Sequence, residues 1–169
     1  MLGCRIFFMK LTKYEEAELY SMIEKYISHN KVQEMKNYIQ HGTISTYEHC
    51  LSVTRGSFYV NRHYNLKANE DVLIPAAMLH DFYLYDWHNK DEGSHDLHGY
   101  IHAARASRNV EKFFSELGNE SHHVIESHMW PLNLTKLPRS REAWIVCLVD
   151  KYVSAKETLF CREKKNVNK

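Results

Sequence analysis

A chain of 169 residues with 44% hydrophobic residues, six glycines and three prolines has the length of one compact domain and too few turn formers for a β-barrel. Its 22 basic and 21 acidic side chains leave a net charge of +1, which argues against nucleic acid as the main partner, because backbone binders carry a basic excess. No apolar stretch reaches the roughly 20 residues of a membrane span, and Cys4, Cys50, Cys147 and Cys161 form no CxxC pair; no membrane segment, disulfide framework or zinc ribbon is expected, and the expected location is the cytoplasm.

Residues 1–10 read as an N-terminal extension, 11–160 as one helical domain with its core in 45–160, and 161–169 as a basic, solvated tail. Thr12 can cap a first helix, with Glu15 and Glu16 in its opening turn and Leu19, Met22, Ile23, Tyr26 and Ile27 at helical spacing. A second short helix is predicted over Lys31 to Ile39, stopped by His41-Gly42. Thr43 or Ser45 opens a longer helix, with Ile44, Tyr47, Leu51, Thr54 and Phe58 as its inward stripe and His49 and Val53 on an adjoining face. After a break at Asn65 to Asn69, residues 71–81 read as a fully buried helix. Pro75 is expected in its first turn, and Ala76-Ala77 allow close packing. Residues 86–96 are polar and read as a loop at the mouth of a site. Helices follow over Leu97 to Leu117, ended by Gly118, and over Ser121 to His128, stopped before Pro131. The last helix carries Ala143, Trp144 and Val146 to Val149 before Asp150. Strand signals are nearly absent, so the expected fold is all-α, a compact single-domain helical bundle.

The 12 histidines are the compositional feature that points to chemistry, since imidazole is the commonest metal ligand. His80-Asp81 follows the apolar run Ile74 to Leu79, and an ionised carboxylate there is costly unless something compensates it. A divalent metal would compensate both groups, but a single His-Asp pair is a weak signal and is often a surface accident. Asp150 ends a second apolar run, Ile145 to Val149. The helix continues through Lys151 to Ala155, which puts a poor helix former in mid-helix. His49, in Tyr47-Glu48-His49, is by itself better read as a satisfied core histidine. Cys50 and Cys147 lie in apolar stretches and read as small buried hydrophobes.

Taken together, these residues resemble the HD-domain superfamily of metal-dependent phosphohydrolases: a His, then His-Asp after an apolar helix, then a distant Asp after another apolar run. The resemblance covers about residues 45 to 160 and implies that His49, His80, Asp81 and Asp150 hold one metal. Leu97-His98-Gly99-Tyr100-Ile101-His102-Ala103 looks like the His-Gly helix of the two-metal branch, with His98 in the ligand slot and His102 as its competitor. Val124 to Leu132 looks like the segment with the next ligand, where His128 matches best and His122-His123 compete. The six ligands would make Asp81 a bridge in a binuclear centre of Fe, Mn, Zn, Ni or Co.

The resemblance implies hydrolysis of a phosphomonoester or phosphoanhydride, a nucleotide-like small molecule, by a metal-activated water. Asp81, His102, His88, Lys151 and Arg55 are the expected catalytic residues. His88, Asp86 or His102 could supply the leaving group's proton, and Arg55 and Lys151 could hold phosphate oxygens, although both bases read equally well as surface residues. Tyr83, Tyr85 and Trp87 could line a pocket, but aromatics more often pack. Most of His29, His41, His63 and His95 are expected to face solvent. Two other functions remain open: oxygen-dependent chemistry at two irons on the same ligand set, and a metal- and nucleotide-binding module without turnover.

Overall fold

The computed structural model describes residues 10–88 and 98–160, with the His98 side chain outside that description. The N-terminal extension over 1–9, the polar loop over 89–97 with His95, and the basic tail over 161–169 also lie outside the described residues. Seven α-helices are described: α1 (Lys13–Ile27), α2 (Asn30–Glu34), α3 (Thr46–His63), α4 (Glu70–Leu79), α5 (His98–Phe113), α6 (Asn119–Ser127) and α7 (Arg141–Phe160). The fold is all-α, apart from one small hairpin between α2 and α3.

The helix at the centre is α4. Leu73 to Leu79 are all buried, because α1, α3, α6 and α7 pack around it. A helix enclosed on all sides must be apolar all round, so the unbroken apolar run that precedes His80-Asp81 delivers those two polar residues into the core. Pro75 is not in the first turn: Asn69 caps the helix by accepting the Asp71 N–H, which makes Glu70 the first residue and Pro75 an interior one. Proline there leaves the carbonyl four residues earlier without its donor, and that residue, Asp71, is exposed.

Capping boxes start α1 and α3. At α3, the Glu48 N–H donates to Ser45 Oγ (3.3 Å), and Glu48 Oε2 accepts from the Ser45 N–H (2.9 Å) and O–H (2.7 Å). Reciprocal capping satisfies donors the helix cannot satisfy itself. Ser45→Ala is therefore expected to cost about 1 kcal/mol of stability, measured by urea unfolding. The buried face of α3 is rotated from the expected stripe: His49, Cys50, Val53, Thr54, Ser57 and Phe58 are buried, whereas Tyr47 and Leu51 are half-buried. Packing against both α4 and α7 decides the face, and it turns His49 inward.

The second predicted helix is shorter than expected. α2 is followed by a 3-10 turn (Met35–Asn37) and then by strands β1 (Ile39–His41) and β2 (Ile44–Ser45). His41-Gly42 is not a helix stop; Gly42, at φ 61°, turns the hairpin, a conformation glycine adopts without steric cost. Ile39 pairs with Ser45 and His41 with Ile44, so Gln40 is an extra, bulged residue. α5 ends at Phe113, before Gly118, which instead caps α6.

His29 is half-buried and structural, whereas His63 faces solvent. His29 caps α2 through Nδ1 and packs its ring on Phe113 and Phe114. His63 stacks on Tyr59 and pairs with Glu15 at 3.1 Å. Cys50 and Cys147 are buried, free thiols, while Cys4 and Cys161 lie outside the described residues.

Candidate metal centre

Five elements deliver imidazoles and carboxylates to one point in the core. His49 comes from α3, His80 caps the C-terminus of α4 with Asp81 directly after it, His102 comes from α5, His128 caps the C-terminus of α6, and Asp150 sits in the middle of α7. His49, His80, Asp81, His102, His128 and Asp150 are all at least nine-tenths buried.

The backbone sets which nitrogen each capping histidine presents. His80 Nδ1 donates to the Ala77 carbonyl at 2.8 Å, and His128 Nδ1 donates to the Ile125 carbonyl at 2.7 Å. With Nδ1 occupied as a donor, Nε2 is the nitrogen turned into the core. His49 achieves the same with a carboxylate, since its Nδ1 lies 2.7 Å from Glu157 Oε2. A partner on the far ring nitrogen is what orients a metal-binding histidine.

The Nε2 atoms fall into two groups around Asp81. On the Oδ2 side are His80 Nε2 (3.6 Å) and His49 Nε2 (3.8 Å), and Asp150 Oδ1 lies 3.1 Å from His49 Nε2 and 3.7 Å from His80 Nε2. On the Oδ1 side are His102 Nε2 (3.3 Å) and His128 Nε2 (3.5 Å). His49, His80 and Asp81 form one cluster of potential ligand atoms, and Asp81, His102 and His128 form another. His80 Nε2 and Asp81 Oδ1 are buried without a hydrogen-bond partner. Leaving such groups unsatisfied is costly, and a divalent cation satisfies both. The donor set of nitrogen and carboxylate oxygen suits a first-row transition metal, so the residues fit the group.

The charges agree with this donor set. Burial alone would raise the Asp81 pKa, but His80, His102, His128 and His49 outweigh it and hold the carboxyl down at about 2. Asp150 is held well below the usual carboxylate range against the same burial, by the hydrogen bond from His49 and by the neighbouring His80. Burial, with the nearby His80, pushes His128 down to about 3, which keeps its imidazole neutral. Burial disfavours charge on His49 too, yet the Asp150 and Glu157 carboxylates on its two sides push it up to about 10.

Of the expected ligands, His49, His80, Asp81, His128 and Asp150 converge, together with His102. The side chain of His98 lies outside the described residues; among those described, His102 stands beside Asp81 and His128, with Nε2 3.0 Å from His128 Nε2. His122 and His123 are used elsewhere, by Ser107 and by the Arg139 N–H. Arg55 does not join the site: Glu16 on α1 takes its guanidinium at both nitrogens, which clamps α1 to α3. His88 is exposed, with its N–H donating to Asp86 and its ring against Trp87. Lys151 does reach the site, donating to the His128 carbonyl at 2.9 Å and the Cys147 carbonyl at 3.3 Å.

A cavity of about 610 Å³ opens onto these groups, within the size range of small-molecule pockets. Asp81, His102, His128 and Asp150 line its polar end, and Trp87, Met129, Pro131 and Leu132 form an apolar wall. Gly99 packs closely on that wall: a Cβ there would meet Leu132 Cδ2 at 3.0 Å and displace that side chain slightly. Tyr83 and Tyr85 pack rather than line the cavity: both are buried, and Arg105 lies over the Tyr85 ring.

Sequence reasoning missed Gln40, His41 and Glu157. His41 is not in solvent; it lines the cavity beside His49, and burial and the His49 charge lower its pKa. Gln40 donates to Asp81 Oδ2 at 2.6 Å. Glu157 follows Asp150 by seven residues, two turns along one helix face, and this is the signal that could have identified it.

A family model for the HD domain matches residues 46–155. No curated protein and no solved structure matches the chain.

Proposed function

The chain belongs to the HD-domain family of metal-dependent phosphohydrolases, and from that premise we propose that it hydrolyses a phosphomonoester or phosphoanhydride of a nucleotide-like small molecule at a two-metal centre. The observation that carries this reading is the Asp81 carboxylate, with one oxygen facing each of two histidine clusters and Oδ1 left without a partner. His49, His80, Asp81 and Asp150 would hold one divalent ion, and Asp81, His102 and His128 the other. Such ions supply Lewis acidity and make water acidic enough to act as a nucleophile near neutral pH.

The rest of the work falls to the chain. The apolar wall of Trp87, Met129, Pro131 and Leu132 receives a planar or apolar substrate body and excludes water from the polar end. Trp87 is fixed for this by its Nε1–H, which donates to the Ile39 carbonyl at 3.1 Å. Lys151 has its ammonium tied to two backbone carbonyls and to Cys147 Sγ. It therefore offers the phosphate a fixed positive charge rather than a free hydrogen bond. Lys151→Met is expected to raise KM about tenfold with a smaller change in kcat, the size of one lost charge interaction.

The test is phosphate release across a panel of nucleotides and simple phosphate esters, using protein loaded in turn with Mn, Fe, Zn, Ni and Co. Turnover that disappears on chelation and returns on reloading is expected. The same samples are followed for oxygen uptake. Full metal loading with oxygen consumption and no phosphate release would replace hydrolysis with oxidation. Full loading with neither activity would leave a binding module.

A further inference from the structure

The bulge in the hairpin has a chemical consequence. Side chains alternate along a regular strand, so Gln40 and its neighbour His41 could not both face the site from an unbroken β1. The extra residue at Gln40 re-aims the strand, as bulges do, and both side chains line the cavity. Gln40 is buried and spans two partners of opposite kind. Its Nε2 donates to Asp81 Oδ2 at 2.6 Å. Its Oε1 accepts from the Tyr83 O–H, and Thr46 Oγ1 lies 3.3 Å from the same oxygen.

These partners leave the amide one orientation. An ionised carboxylate only accepts, whereas a phenol keeps its proton at neutral pH and can donate. Flipping the amide would set two acceptors against each other at Asp81, so the carboxylate fixes which way the amide faces. Tyr83 and Thr46 hold its oxygen from the other side, and Gln40 holds one oxygen of Asp81. With Oδ2 held, the carboxylate plane is fixed and Oδ1 is aimed at His102 and His128.

We propose that Gln40 is a positioning residue that holds Asp81 as a bridge, and that the second divalent ion, on the His102–His128 side, depends on it. This rests on the two-metal reading above. A carboxylate free to rotate would still serve His49, His80 and Asp150, which share one side. It would no longer present its second oxygen to the other cluster.

The experiment is Mn²⁺ titration of the full chain, read by binding stoichiometry and by the electron paramagnetic resonance signature of two coupled ions. Wild type is expected to take two ions with a coupled spectrum. Gln40→Leu is expected to keep the first ion, lose the coupled signal and bind the second about 10- to 100-fold more weakly, the usual cost of removing a group that orients a ligand. Tyr83→Phe should shift the second affinity in the same direction by less. The double variant should be no worse than Gln40→Leu, because Tyr83 acts through Gln40. If Gln40→Leu fails to fold by circular dichroism, Tyr83→Phe decides. Two ions bound with unchanged affinity and a coupled spectrum in the deciding variant would overturn the proposal, as would a wild type that takes only one ion. Unchanged binding in the deciding variant beside intact phosphate release would leave the proposed function standing, whereas a one-ion wild type would also overturn the two-metal reading. A wild type that binds no divalent metal would overturn both.

Discussion

Asp81→Ala is expected to lose bound metal at both clusters and to lower phosphate-ester hydrolysis by more than about a thousandfold, the equivalent of several kcal/mol of metal-derived stabilisation. The reason is position: Asp81 alone has one oxygen near His49 and His80 and the other near His102 and His128. Asp150 lies with the first pair, so Asp150→Ala should remove one ion and leave part of the second. Folding should respond in the same direction. In metal-free protein, against burial, the histidines around Asp81 hold its carboxyl ionised with a pKa of about 2, and removing that carboxylate leaves buried His49 and His80 without its counter-charge. Metal-free Asp81→Ala is expected to melt below metal-free wild type. Metal content by elemental analysis, phosphate release and thermal unfolding together check the prediction. Retained turnover in Asp81→Ala would refute it.

The cost of burying an acid without compensation also explains what is legible in the sequence. An apolar run that ends in an acid violates the rule that built the run, and both such runs, before Asp81 and before Asp150, lead to the site. His49 needed the structure, because the buried face of α3 depends on α4 and α7 packing on it from two sides. His102 and His128 were both in view, yet choosing between His98 and His102 depends on how α5 is rotated, which no local pattern states. The hairpin reads in the sequence as a helix end at Ile39 and a stop at His41-Gly42, because three- and two-residue strands are too short to show alternation. Its bulge, which brings Gln40 and His41 to the site, has no sequence mark beyond Gly42. Arg55 was misjudged for the converse reason: a base near a ligand in sequence was already committed to Glu16, 39 residues earlier.

Metal uptake is expected to release a proton from His49 and to strengthen about tenfold per pH unit for that proton between pH 6 and 8. In the metal-free site, burial opposes charge on His49, but the hydrogen bonds it donates to Asp150 from Nε2 and to Glu157 from Nδ1 hold the ring protonated up to about pH 10. A cation at Nε2 can enter only as that proton leaves. The Nδ1–H stays on Glu157, which is almost fully buried. The stability linkage runs the opposite way. Because the folded pKa lies above the ordinary 6.5, the contribution of His49 to the metal-free fold is complete below about pH 6.5 and is lost as pH rises through about 10. Alkaline conditions thus weaken the empty fold while favouring the loaded one. Glu157→Gln separates the two effects. Its amide oxygen can still accept the Nδ1–H, but without the charge the ring holds its proton less tightly. The pH slope of metal binding should therefore flatten, and affinity at high pH should fall about 10- to 100-fold. Competition against a chromogenic chelator from pH 6 to 8 reads both. An affinity independent of pH in wild type, or a Glu157→Gln curve that overlays it, would show that His49 does not exchange its proton for the metal.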